Sequence, residues 1–161
     1  MKKTLLMFVF LLVSTSLFAQ DDEMPKAAKD YRAAVKSYLQ VEGFSPTIDE
    51  DGYLSFKKEG VLYWITFRSE EPVYVEFHRA GLNGDGLDVV ALYLAVNELN
   101  LNKRCAKAVV NDNGDVEYSV EFYSTSPDQF KGSFYRYMNV LQVARDYVLE
   151  KYEVFQEDED E

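Results

Sequence analysis

Between Tyr53 and Arg79 three period-two runs follow one another with almost nothing between them, and no other feature limits the fold so tightly. The runs are Tyr53 to Lys58, Val61 to Arg68 and Val73 to Arg79; Glu59-Gly60 separates the first two and Ser69 to Pro72 the last two. Links this short cannot carry a crossover helix, so the strands must be antiparallel neighbours in a meander. In the third run Val73, Val75 and Phe77 alternate with Tyr74, Glu76 and His78, which predicts one buried and one wet face. In the second, Val61, Tyr63, Ile65 and Phe67 lie opposite Leu62, Trp64 and Thr66. Both sets are apolar enough to predict a central strand covered on each side.

The flanking segments change period. From Pro25 to Glu42, Ala27, Tyr31, Ala34, Val35, Tyr38 and Leu39 recur every three or four positions, which predicts an amphipathic helix closed by Gly43. Phe44 to Asp51, with Pro46 and an acidic turn, reads as a connector. Ala106 to Val110 and Val116 to Phe122 flank NDNGD, where Asn113-Gly114 predicts a hairpin with a type I′ turn. In STSPDQF, Ser126 as N-cap, Pro127 as first helical residue and Gln129 three positions on from Ser126 form a capping box. Phe130, Phe134, Tyr137, Leu141, Ala144 and Val148 then keep helical spacing to about Lys151. The acidic end, residues 153–161, is expected to be a disordered tail.

GLNGDGLDVV, from Gly81 to Val90, resembles the start of a calcium loop. Such a loop needs an acid at position 1, glycine at 6 and a bidentate glutamate at 12. Aligning Gly86 with position 6 puts Gly81 at 1 and Leu92 at 12, so the strongest ligands are missing. The stretch is better explained as a helix start, with Asp85 or Asp88 accepting free backbone N–H groups. The residues that follow, Leu87 to Leu99, are apolar on every face and predict a helix buried between other layers.

The first twenty residues, MKKTLLMFVFLLVSTSLFAQ, join two lysines to an apolar run and a small residue, the pattern of a secretory leader cleaved after Ala19. The run from Leu5 to Val13 falls short of the roughly 20 residues that span a bilayer. Residues 20–152 then form one domain, expected in the periplasm or outside the cell. The formal charge of −11 becomes −13 once Lys2 and Lys3 leave with the leader. A domain this acidic repels nucleic-acid phosphates and anionic lipid, so neither nucleic acid nor membrane is expected as a partner. With Cys105 alone, no internal disulfide forms and stability must come from packing, to which an aromatic content of 15% is suited. Cys105 opens an apolar strand pattern and is expected to be buried and inert.

Catalytic chemistry finds no assembled constellation. The lone histidine, His78, stands on the outward face of the third strand beside Arg79, with no G-x-S-x-G elbow in the chain. A surface or edge position is expected for it. One cysteine and one histidine cannot make a zinc site, and GLNGDG lacks the spacing of a phosphate-binding loop. Neither a catalytic site, a metal nor a cofactor is expected. The alternative is a small hydrolase that uses carboxylates or His78, which would require a pocket around them.

The stretch VNELNLNKRCAKAVVNDNGDVEYSVEFY, Val96 to Tyr123, resembles the central signature of the YbjN family. There the middle helix ends in Asn, a hydrophobic residue and Asn, here Asn97, Leu99 and Asn100, before a hairpin over an acidic glycine turn, here Asp112 to Asp115. The resemblance implies the type III secretion chaperone-like fold: α+β, with three helices and an antiparallel five-stranded sheet in the order α-β-β-β-α-β-β-α. Its members are described as regulators of sensory transduction, and the wider fold includes dimeric chaperones that hold segments of other proteins. What this implies here is a non-catalytic interaction module with a protein partner or a homodimer. Trp64, Tyr74, Tyr135 and Tyr147, aromatics not all buried by a single-face pattern, form the candidate interaction surface.

Overall fold

The computed structural model describes residues 24–68 and 71–157. The expected leader with its expected cleavage point, and residues 158–161 of the acidic end, lie outside the described residues. Within them the elements are α1 (Lys26–Val41), β1 (Thr47–Ile48), β2 (Leu54–Lys58), β3 (Val61–Arg68), β4 (Val73–Ala80), α2 (Val89–Asn102), β5 (Lys107–Val110), β6 (Val116–Ser124) and α3 (Pro127–Glu157). The class is α+β with three helices, as expected. The sheet has six strands instead of five, antiparallel throughout, in the order β1-β2-β3-β4-β6-β5. The added strand is β1, inside the expected connector, where Thr47 and Ile48 pair with Ser55 and Leu54. Two residues are too few to show alternation.

Turn chemistry sets the register of the meander. Glu59 (φ 53°) and Gly60 (φ 84°) both take positive φ, the requirement of a type I′ turn, and align Lys58 with Val61. The Asn113-Gly114 turn differs from expectation. Only Gly114 is left-handed (φ 84°), and its N–H bonds Asn111 O at 2.9 Å, a type I turn followed by a glycine bulge. The Asn111 side chain stabilises this form by accepting from the N–H groups of Asn113 and Asp115, both at 3.0 Å.

All three helices lie on one side of the sheet. Tyr63, Ile65, Phe67, Val75, Phe77 and Tyr118 point into a core closed by Ala28, Tyr31, Val35 and Leu39 of α1 and by Phe130, Phe134, Leu141 and Val148 of α3. Phe77 is central: its ring stacks on Phe134 at 5.8 Å, meets Phe130 edge-on at 5.8 Å and reaches Phe56 and Tyr63. The expectation that β3 is covered on both faces is therefore corrected. Leu62 and Arg68 are exposed and Trp64 half-buried, with only Thr66 of that face buried, because among the described residues no helix crosses that side.

α2 also departs from expectation. It begins and ends later than Leu87 to Leu99, capped by Asp88, whose side chain accepts from Ala91 N at 2.7 Å. Only Ala91, Leu92, Ala95, Val96 and Leu99 are buried, against α3 and β5, so α2 is an outer helix. Uniform hydrophobicity concealed this, because it marks no side as the buried one. Asn100, past the last core residue, closes the sheet edge: its amide donates to Ala108 O at 2.9 Å and accepts from Ala108 N at 3.0 Å, as a neighbouring strand would. Cys105 lies in the turn before β5 and is exposed, not buried.

α3 starts at Pro127 as expected, with its cap shifted by one residue. Ser126 Oγ accepts from Asp128 N, while Gln129 Oε1 reaches back to Thr125 N and to the Ser124 hydroxyl. The helix runs on to Glu157, so residues 153–157 of the expected tail are helical. GLNGDG also gains a role beyond helix entry. It packs on the NDNGD turn, with Val116 N bonded to Leu82 O and Gly84 N to Asp115 Oδ1. A Cβ on Gly84 would stand 2.1 Å from Gly114 O.

Two substitutions test these contacts by chemical denaturation. Gly84→Ala must separate two backbone segments and is expected to cost about 1–3 kcal/mol, as overpacking does. Asn100→Ala should cost a similar ~1–3 kcal/mol, by leaving the Ala108 groups unpaired, and should also raise aggregation by opening the β5 edge.

Candidate functional site

The helix-free face of the sheet is an ordered grid set by register. Trp64, His78 and Ser119 are cross-strand neighbours, with Ser55 and Lys107 at either end; the next row is Thr66, Glu76 and Glu121, and the next Arg68, Tyr74 and Tyr123. Trp64 stacks on His78 with rings 4.9 Å apart and 5° from parallel, and Tyr74 lies 5.0 Å from Tyr123. The facing Glu76 and Glu121 would repel, and each is held by its own partners. The Thr66 hydroxyl and Arg68 Nε (3.2 Å) bond Glu76. Glu121 takes Lys107 Nζ at 2.5 Å, the Tyr74 hydroxyl at 2.7 Å and the Ser119 hydroxyl at 3.0 Å.

These contacts fix the charge states. Partial burial pushes Glu121 up, but the bonds from Lys107, Tyr74 and Ser119 outweigh it and hold the carboxyl below its usual range. The same bond to Glu121 pushes Tyr74 up to about 12, so Tyr74 remains a donor. Burial under Trp64 lowers His78 below its ordinary value against the pull of Glu76, Glu117 and Glu121, which leaves the imidazole neutral near pH 7.

Of the expected interaction residues, the structure brings Trp64 and Tyr74 together on this face and leaves the other two elsewhere. Tyr135 is on the outer side of α3, donating to Glu42 at 2.5 Å. Tyr147 is partly buried under Lys103, whose ammonium lies 4.3 Å from its ring centroid. His78 is outward-facing as expected, yet it sits on an interior strand, between β3 and β6, and not at an edge. Its neighbour Ser119 donates to Glu121 instead of to the imidazole, so no nucleophile–base contact is made. A hollow of about 310 Å³ beside Trp64 is lined by Leu62, Gly81, Asp115 and Glu117 but not by His78. Among the described residues no group of three or more His, Cys, Asp or Glu is placed to hold a metal ion, and no helix is long and apolar enough to cross a membrane.

A second surface, absent from the sequence expectation, lies on α2. Val89, Val90, Tyr93, Leu94 and Leu101 are 46–71% exposed. At 100° per residue they occupy one half of the helix, opposite Ala91, Leu92, Ala95, Val96 and Leu99. Asn97 and Asn100 are the polar residues within the stripe.

No family model matches the chain, so the resemblance to the YbjN family between Val96 and Tyr123 is not supported by one. No curated protein matches it either. Among solved structures it is similar to a chain of the HopA1-SchA chaperone-effector complex, at 9% identity over 72% of this chain and 93% of that one, with a TM-score of 0.48. It is also similar to an uncharacterized protein from Methanothermobacter thermautotrophicus, at 14% identity over 80% of this chain and 98% of that one, with a TM-score of 0.44.

The state of His78 predicts a pH dependence of stability. Its folded pKa lies below its unfolded value near 6.5, so the unfolded chain binds more protons between the two. The stabilisation is complete above about pH 6.5 and is lost as pH falls through the lowered folded value. Thermal melts should therefore decline as pH falls below about 6.5, and His78→Gln should flatten that part of the profile. An unchanged profile in the variant would show that another group titrates there.

Proposed function

We propose that this chain is an exported, non-catalytic protein-interaction module of the YbjN type, and that it docks through the outward stripe of α2, with a second copy of the chain as first occupant. The observation that carries the reading is the set of large apolar side chains on the solvent half of α2. A helix that is apolar all round is stable in water only when both halves are covered, and the domain covers one. Fully burying such a side chain contributes about 1.5–3 kcal/mol; with roughly half of each still exposed, the two stripes of a dimer together offer on the order of 10 kcal/mol, comparable with the roughly 4–15 kcal/mol that association costs. The helix-free sheet face is a weaker docking surface, since its charges are already paired within the face. The signal-like leader supports export, and the acidic charge argues against a nucleic-acid partner.

Size-exclusion chromatography with light scattering on the protein tests this. Wild type is expected to be a concentration-dependent dimer. Tyr93→Glu with Leu94→Glu should make it monomeric while shifting stability by no more than about 0.5 kcal/mol, because both positions are exposed. A wild type that is monomeric at every concentration would remove the second copy as occupant. A dimer that survives both glutamates would place the interface elsewhere and sink the assignment to α2.

A further inference from the structure

Beyond the last turn of α2, the segment Asn102–Ala106 and one side of α3, from Asn139 to Ala144, flank an open cavity of about 340 Å³, within the range of small-ligand sites. Its inner wall is apolar: Ala106 and Ala144 are buried, Val140 is partly buried and Val143 flanks the opening. Its rim carries two cations, Lys103 and Arg104, with the amide of Asn139 across from them. The two cations differ. Lys103 follows the C-terminal end of α2 and lies over the Tyr147 ring, so the negative end of the helix dipole and a π face already favour its charge. Arg104 is exposed, and among the described residues no carboxylate stands within ion-pair distance of either cation, although acids outnumber bases 28 to 17 in the chain.

We propose that this cavity binds a small amphipathic acid, a single carboxylate on a compact apolar body. The body lies against Val140, Val143 and Ala144, and the carboxylate meets the planar fork of Arg104, with Lys103 as the second charge. A bare anion would leave the apolar wall in contact with water, and a neutral apolar molecule would leave the guanidinium unused. The assignment is independent of the α2 stripe, which ends before this segment.

Cys105, an exposed thiol in the cavity wall, supplies the readout. Its alkylation by iodoacetamide is followed with octanoate, 1-octanol or acetate as probes. Octanoate is expected to slow the reaction saturably, and octanol and acetate to have little effect at equal concentration. Arg104→Gln should weaken octanoate by about tenfold, the loss of one charged hydrogen bond, and Val143→Glu should abolish protection. Both residues are exposed, so melting temperatures should hold. Tyr93→Glu should leave protection intact; if it does not, the acid is occupying the α2 stripe and the cavity assignment fails. Protection by octanol equal to that by octanoate, unchanged affinity in Arg104→Gln, or no saturable protection below the micelle-forming concentration of octanoate would each overturn it.

Discussion

The contact on which the rest of the structure depends is the aromatic seam between β4 and α3. Phe77 presents its ring to Phe134 and Phe130, and Phe56, Tyr63 and Phe44 extend the cluster toward α1. Aromatic pairs contribute about 0.5–1.5 kcal/mol each beyond the area they bury, which suits a chain that has no disulfide to constrain it. The seam also decides on which side of the sheet the helices lie. Phe77 occupies the inward set of β4, α3 follows it there, and α1 completes the layer by placing Tyr31 against Phe67 and bonding Ser124 through its hydroxyl at 2.8 Å.

Covering one face leaves the other to be settled by polar chemistry. The Glu76 and Glu121 rows show how: two facing carboxylates are tolerated because hydroxyls and cations are bonded to each. Such partly exposed ion pairs contribute little to stability, about 0–1 kcal/mol, so the network orders the surface without holding the fold together. α2 presents the opposite case. Among the described residues no layer covers its largely apolar solvent half, and hydrophobic surface is the one kind that water alone cannot satisfy. Two faces left open by the same architecture thus differ in what they lack: on the sheet face the charges are paired and the exposed Leu62, Val109 and Tyr123 are separated among them, whereas on α2 the exposed apolar side chains are neighbours.

The parts legible in the sequence are those in which local pattern and tertiary environment agree. Val73, Val75 and Phe77 point inward because alternation records burial directly, and Lys26–Val41 is helical because its stripe and its glycine stop coincide. The helix count and the antiparallel meander followed from such segments. β1 did not, since its two residues carry no period. The side of β3 that lies open did not, since Leu62 and Trp64 look like core residues until the position of α3 is known. The exposed half of α2 was hidden for the same reason. Of the four aromatics singled out, Trp64 and Tyr74 share a face because register aligns their strands, whereas Tyr135 and Tyr147 belong to different sides of α3, and spacing within one helix does not say what lies opposite.

The glycines and asparagines show where sequence was informative for the wrong reason. Asn113-Gly114 signalled a hairpin and the hairpin exists, yet its geometry is set by Asn111, whose side chain bonds two backbone N–H groups and selects the bulged form. GLNGDG signalled a helix start, and Asp88 provides the cap, while Gly84 is required by the approach of Gly114 from a distant segment. Asn100 stood out as the end of the middle helix, and its physical role is to complete the unpaired edge of β5. In each case a short polar or glycine residue satisfies backbone groups that regular elements leave unpaired. The glycines and short polar residues between Gly81 and Asp115 thus serve as a backbone hydrogen-bonding scaffold at the two ends of α2 and at the β5–β6 hairpin.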